Sequence, residues 1–206
     1  MNIIGITGGT GTGKGLVSCV FSSYGYPVYD CDKEYHALVS YYSPCVRELE
    51  QVFGREIITE NGALDRVALR KIVFSSGKGA SALLQKLNSI SHYHVKQNLR
   101  AWCEDLKKTG VTTVVVDAPT LFQADLEGEC VAVIGVIAKE ELRLERIMAR
   151  DGLDETTALQ RIRAQLTDDF YRTHCDFIVE NNGAIDDVHM QTEKIILEFR
   201  KRGILQ

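Results

Sequence analysis

Gly8-Gly9-Thr10-Gly11-Thr12-Gly13-Lys14 decides how the rest of this 206-residue chain is read. An apolar run at residues 2–7 precedes it and a helical pattern at 16–24 follows, so strand, glycine loop and helix stand in that order. Glycines let successive backbone N–H groups turn inward around an anion, the helix N-terminus adds partial positive charge, and a lysine supplies a full one. That context separates the stretch from a glycine-rich turn with an incidental lysine, and it reads as a loop holding nucleotide phosphates. Gly8, Gly9, Gly11, Thr12, Gly13, Lys14, Gly15 and Leu16 are the expected contacts.

The residue after the lysine is where a Ser or Thr hydroxyl would ligate Mg²⁺, and here it is Gly15. Ser18 lies one turn further, about 4.5 Å along the axis at about 1.5 Å per residue, too far to replace that ligand without rearrangement. A water molecule can fill the position, because Mg²⁺ keeps several waters. Gly15 also weakens the first helical turn by about 1 kcal/mol relative to Ala. The other expected metal ligand is Asp117, which closes the apolar run Val114-Val115-Val116-Asp117. A carboxylate at that strand end can bind Mg²⁺ directly or through water, the alternative being an Asp that merely caps the strand.

Further short apolar runs at 27–29, 111–116, 131–138 and 177–179 alternate with helical stretches, which predicts an α/β fold with a five-stranded parallel sheet. Right-handed crossovers then put helices on both faces, three α/β/α layers in all, with the ligand at the carboxyl ends of the strands. About 80 residues separate the second strand from the third, far more than one crossover needs, so a helical subdomain is inserted there. Within it Asp65 is placed to cap a helix over 65–74, and residues 80–108 are mostly helical. Gly77-Lys78-Gly79 and Glu60-Asn61-Gly62 read as local loops, and Val188, Ile195, Ile196 and Phe199 mark one face of a closing helix over 184–202.

A net charge of −4 argues against a surface built for a nucleic-acid backbone and favours a small anionic ligand. The six cysteines, at 19, 31, 45, 103, 130 and 175, form no C-x-x-C pair and no zinc pattern, and read as reduced, mostly buried thiols. No apolar run approaches the roughly 20 residues of a membrane helix, and the start has no signal-peptide pattern. The expectation is a cytoplasmic protein without membrane or nucleic-acid partners, a monomer or small homo-oligomer.

Several stretches together resemble the dephospho-CoA kinase family. They are Ile6-Thr7 with the glycine loop, Tyr26-Pro27-Val28-Tyr29-Asp30-Cys31-Asp32, and Gly62-Ala63-Leu64-Asp65-Arg66 with Ile72-Val73-Phe74. Asp117-Ala118-Pro119-Thr120-Leu121-Phe122-Gln123 and Arg146-Ile147-Met148-Ala149-Arg150-Asp151-Gly152 continue the series. Arg161-Ile162-Arg163-Ala164-Gln165 and Cys175-Asp176-Phe177-Ile178-Val179-Glu180-Asn181-Asn182-Gly183 complete it, so the resemblance spans nearly the whole chain. Departures are Gly15, Leu16, Tyr93 after His92, Thr120, and Gln123 where the family has Glu.

The resemblance implies a P-loop kinase core at 1–32, 111–138 and 165–206, a helical CoA-side insertion at 33–110 and a mobile lid at 139–164. It implies transfer of the ATP γ-phosphoryl group, with Mg²⁺, to the 3′-hydroxyl of dephospho-CoA, the last step of coenzyme A biosynthesis. Asp32 would be the base facing that hydroxyl, Asp30 would serve the substrate or order the loop or a metal-bound water, His92 would serve the substrate, and Arg146 and Arg150 would close on the phosphates. For Asp30 and Asp32 the plainer reading is helix capping before residues 33–39. For the arginines it is a salt-bridged solvent face with Glu140, Glu141 and Glu145, and Arg143 is assigned a structural role. His94 reads as an ordinary core or surface histidine, and Tyr93 and Trp102 as core aromatics or part of a substrate groove. Two other functions stay open at this point: a non-catalytic nucleotide or CoA binder, degenerate at Gly15 and Gln123, and a P-loop kinase acting on a nucleoside or nucleotide.

Overall fold

The computed structural model describes residues 1–75 and 80–205, so the Gly77-Lys78-Gly79 turn lies outside the described residues. Five parallel strands, β1 (Asn2–Gly8), β2 (Val28–Asp30), β3 (Thr113–Asp117), β4 (Ala132–Ile137) and β5 (Phe177–Glu180), form one sheet in the order β2-β3-β1-β4-β5. Burial on both faces explains why Val114–Val116 of β3 and all of β4 run apolar without alternation. β1 takes the central place, and the register sets Ile6 opposite Asp117 and Asp117 opposite Asp30. The carboxyl ends of β1, β3 and β2 therefore lie side by side.

The chain divides into two compact units. The first comprises residues 1–30 and 106–206 and holds the whole sheet; the second, 31–105, is helical. In the first unit, Ile4 and Ile6 point to a face covered by α1 (Lys14–Ser23) and α9 (Ile185–Lys201), where Val17, Phe21, Val188, Ile196 and Phe199 are buried with them. Full burial of such a side chain contributes about 1.5–3 kcal/mol, so this cluster is the main anchor of the sheet. On the opposite pleat a Cβ at Gly5 would run into Leu121 and Cys130, and one at Gly135 into Cys175 at the end of α8 (Asp168–His174). Helices thus cover both faces, in three layers.

Between β4 and α8 stand α6 (Glu140–Asp151) and α7 (Glu155–Arg163). Gly152 ends α6 in the left-handed region, and the Asp154 side chain caps α7 by accepting from the Thr157 amide at 3.0 Å. The two helices share a small core of Ile147, Ala158 and Ile162, flanked by Leu144 and Leu153. Asp151 ties them together, accepting from Arg150 at 2.7 Å and from Arg161 at 2.6 Å.

The second unit contains α2 (Cys31–Leu38), α3 (Pro44–Phe53), α4 (Arg66–Ser75) and α5 (Ala80–Lys108), whose last residues pass into the first unit. Asp65 caps α4 as its sequence position predicts, accepting from the Val67 and Ala68 amides. None of the six cysteines is in a disulfide; Cys31, Cys45 and Cys103 are buried and Cys19 is exposed. Among the described residues no helix is long and apolar enough to cross a membrane.

Candidate active site

The glycine loop leaves β1 at Gly8 and enters α1 through Gly13, whose φ of 83° is a left-handed conformation that side-chain-bearing residues rarely adopt. Three successive carbonyls of the loop are claimed from elsewhere in the first unit. Arg143 Nε donates to Thr10 O at 3.0 Å, Arg146 Nη1 to Gly11 O at 3.2 Å, and Asn181 Nδ2 to Thr12 O at 2.8 Å. The Thr10 amide donates to Gln165 Oε1 at 2.7 Å, and the Thr12 hydroxyl folds back to Gly9 O at 2.8 Å. With these three carbonyls held by cations and an amide, the loop presents positive potential, to which α1 adds the amides of its first turn.

Arg143 is nearly buried, and its guanidinium also faces Asp168 at 3.5 Å and Gln165 at 3.3 Å. Burial pushes the Asp168 carboxyl above its ordinary range, against the pull of Arg143. Arg146 gives its second terminal nitrogen to the carbonyl and the side-chain oxygen of Asn181, both at 3.2 Å. Arg150 is exposed, paired with Asp151, and approaches Thr10 Oγ1 at 3.4 Å. Of the arginines expected at the phosphates, Arg146 is therefore joined to the loop backbone in this structure, and Arg150 to its rim.

Lys14 and Asp117 meet directly: the ammonium is paired with Asp117 Oδ1. The other oxygen, Oδ2, accepts from the Ser18 hydroxyl at 2.6 Å. Both carboxylate oxygens are thus gripped from α1, and Asp117 and Ser18 are buried. Asp30 is exposed at the end of the adjacent strand. Among the described residues no cluster of three or more His, Cys, Asp or Glu side chains is arranged to hold a metal. A cation here would rest on one or two carboxylates and on ligand oxygens, the donor set typical of Mg²⁺ with phosphates.

Below the β3 loop, Phe122 packs edge-on against Phe170 at 5.1 Å, and Phe170 stacks on His174 at 3.9 Å between ring centroids. Gln123, next to Phe122, is exposed. In the second unit Asp32 is exposed within the first turn of α2, which begins at Cys31, so it lies inside the helix and not at the residue before it. Asn98 of α5 holds α2 by donating to Glu34 at 2.6 Å, and His36 meets Arg66 of α4 at 3.1 Å. His92 is half-buried on α5, while His94 pairs with Glu48 of α3 at 2.8 Å.

The residues that shape the loop, Asn181, Gln165 and Ser18, are not among the contacts expected from sequence. Asn181 and Gln165 stand within the family-like stretches, which is the signal that could have marked them. Ser18 had only its place one turn after Lys14, on the same side of the helix.

The dephospho-CoA kinase family model matches residues 2–187. This chain belongs to the dephospho-CoA kinase family. A dephospho-CoA kinase of Arabidopsis thaliana is 36% identical over 203 residues, covering 98% of this chain and 85% of the relative. One of Carboxydothermus hydrogenoformans is 33% identical, covering 96% and 94%. A solved protein of Thermus thermophilus superposes with a TM-score of 0.77 at 32% identity over 96% of each chain. Members of this family are ATP-dependent kinases, and the gripped Asp117 and the braced glycine loop of this member are where that chemistry is sought.

Proposed function

We propose that this chain transfers the γ-phosphoryl group of ATP to the 3′-hydroxyl of dephospho-CoA in the cytoplasm. The observation that supports this most is the Lys14–Asp117 pair beside a glycine loop whose Thr10, Gly11 and Thr12 carbonyls are held from outside it. On ATP binding Lys14 exchanges Asp117 for the β- and γ-phosphates, and the loop amides with the first turn of α1 receive the remaining phosphate oxygens. Asp117, once released, would hold Mg²⁺, with Asp30 beside it in the sheet register. A bound Mg²⁺ would supply positive charge against the charge that develops on the transferring group. Asp32 accepts the proton of the acceptor hydroxyl as its oxygen bonds to the γ-phosphorus and the bond to the ADP oxygen breaks. Arg146 and Arg150, already at the loop, stabilise charge on the transferring group, and His92 contacts the acceptor.

The test is ADP release coupled to an optical readout, with and without dephospho-CoA. Turnover should depend on the acceptor, and Asp32→Asn should lower it by about 10²–10⁴-fold while ATP affinity stays within about twofold. ADP release that ignores dephospho-CoA but responds to a nucleoside would move the acceptor elsewhere. Binding without any turnover would make the chain a nucleotide-binding homologue.

A further inference from the structure

We propose that Ser18 is the positioning residue for the metal-holding carboxylate, doing in this chain the alignment that a hydroxyl at position 15 would otherwise share. The inference rests on the phosphoryl-transfer reading and concerns its donor side only. A serine inside a helix ordinarily returns its hydroxyl to the carbonyl four residues back. That contact, to Lys14 O, is stretched to 3.5 Å, and the hydroxyl goes instead to Asp117 Oδ2 at 2.6 Å. Hydroxyl-to-carboxylate bonds of 2.5–2.7 Å are the strong, charge-assisted kind. Ser18 is 7% exposed, so no competing bond to bulk water weakens it.

Position 15 carries no side chain, and a Cβ built there would meet nothing within 4 Å. Space for a hydroxyl-bearing residue exists at the usual place, yet the chain keeps its hydroxyl one turn later on the side of α1 that carries Lys14. Lys14 and Ser18 together fix Asp117 through both oxygens. When Lys14 turns to the phosphates, Ser18 is the grip that remains, and the oxygen the lysine gives up is the one open to Mg²⁺. Without Ser18 the carboxylate could turn about its own axis and would enter the nucleotide complex with one oxygen unmatched.

The measurement is the affinity of the full chain for ATP, without acceptor, by calorimetry in excess Mg²⁺ and again in EDTA. The ratio of the two dissociation constants is the metal coupling. Ser18→Ala should cut that ratio about tenfold, or about 1.4 kcal/mol, and leave the EDTA value within about twofold. Ser18→Cys, close in size and a weak donor, should behave the same and stands in if the alanine variant does not fold. An unchanged ratio in either folded variant overturns the proposal. So does a parallel fall of both affinities, which is what simple loosening of the loop would give, and so does a wild type without metal coupling. Dephospho-CoA-dependent ADP release by the wild type is measured separately, so an acceptor that fails there leaves the Ser18 result standing.

Discussion

Replacing Asn181 by Asp changes one NH₂ into an oxygen and nothing else in size, which isolates the bond between this side chain and the glycine loop. In the wild type Asn181 Nδ2 donates to Thr12 O at 2.8 Å from a position that is 3% exposed. Losing a buried partner costs about 1–3 kcal/mol, and the new carboxylate would sit against the Thr12 carbonyl, adding repulsion. Its charge improves the contact with Arg146 Nη2, now 3.2 Å from Oδ1, which offsets about 1 kcal/mol. The net expectation is a loss of about 2 kcal/mol, or roughly 4–8 °C in melting temperature for a chain of this size. The charge also enters the phosphate pocket, so ATP affinity should fall at least about tenfold, further than in Asn181→Ala, which removes the same bond without adding charge. Differential scanning fluorimetry and ATP titration of both variants make the comparison. If Asn181→Asp melts within about 1 °C of wild type and binds ATP as tightly as Asn181→Ala, the idea that this amide shapes the loop is wrong.

Gly13→Ala should abolish ATP binding, because φ is 83° there and the added Cβ runs into Asn181 Nδ2. Gly15→Ala, in open space, should raise the melting temperature by the modest helix-propensity gain of up to about 1 kcal/mol. Burial pushes the Cys45 thiol up to about 11 and Cys130 and Cys175 up to about 12, while Cys19 is exposed. Brief iodoacetamide treatment at pH 8 should therefore leave a single adduct, which peptide mass spectrometry would place on Cys19. Asp168 has a raised folded-state pKa, so the folded state holds its proton more tightly and stability declines as pH rises from the ordinary carboxylate range through the raised value. Asp168→Asn should accordingly be more stable than wild type at neutral pH, with the difference vanishing below about pH 4, by melts across that range.

What the chain reveals on reading and what it withholds divide by distance along the sequence. The five strands were legible because Val114–Val116 of β3 and the whole of β4 are buried on both faces and carry no polar side chain. The loop was legible because its chemistry is local, and the inserted unit because no crossover needs about 80 residues. Contacts onto the loop were not, since Arg143, Arg146, Gln165 and Asn181 arrive from 133 to 169 residues away. Arg143 was assigned a structural role, and its bond to Thr10 O gives that role its content. α2 starts at Cys31, two residues before the expected helix, and that side chain is buried, a tertiary contact no local pattern announces. Ser18 is the sharpest case. Its place one turn after Lys14 was visible, but its partner lies 99 residues on, so rise along the helix alone could judge it only a poor substitute for the missing ligand and not a brace.

The three outward-held carbonyls at Thr10, Gly11 and Thr12 bear on the thermodynamics of nucleotide capture. A loop left to itself would have to be frozen by its ligand, spending roughly 1–2 kcal/mol of backbone entropy per residue out of the binding energy. Here folding has already frozen it, so ATP meets a preorganised cradle and its arrival should register mainly as enthalpy. The same bracing links the cradle to the fold's global stability: the Thr10 amide hydrogen, bonded to Gln165 Oε1, should exchange with solvent only about as often as that contact lets go.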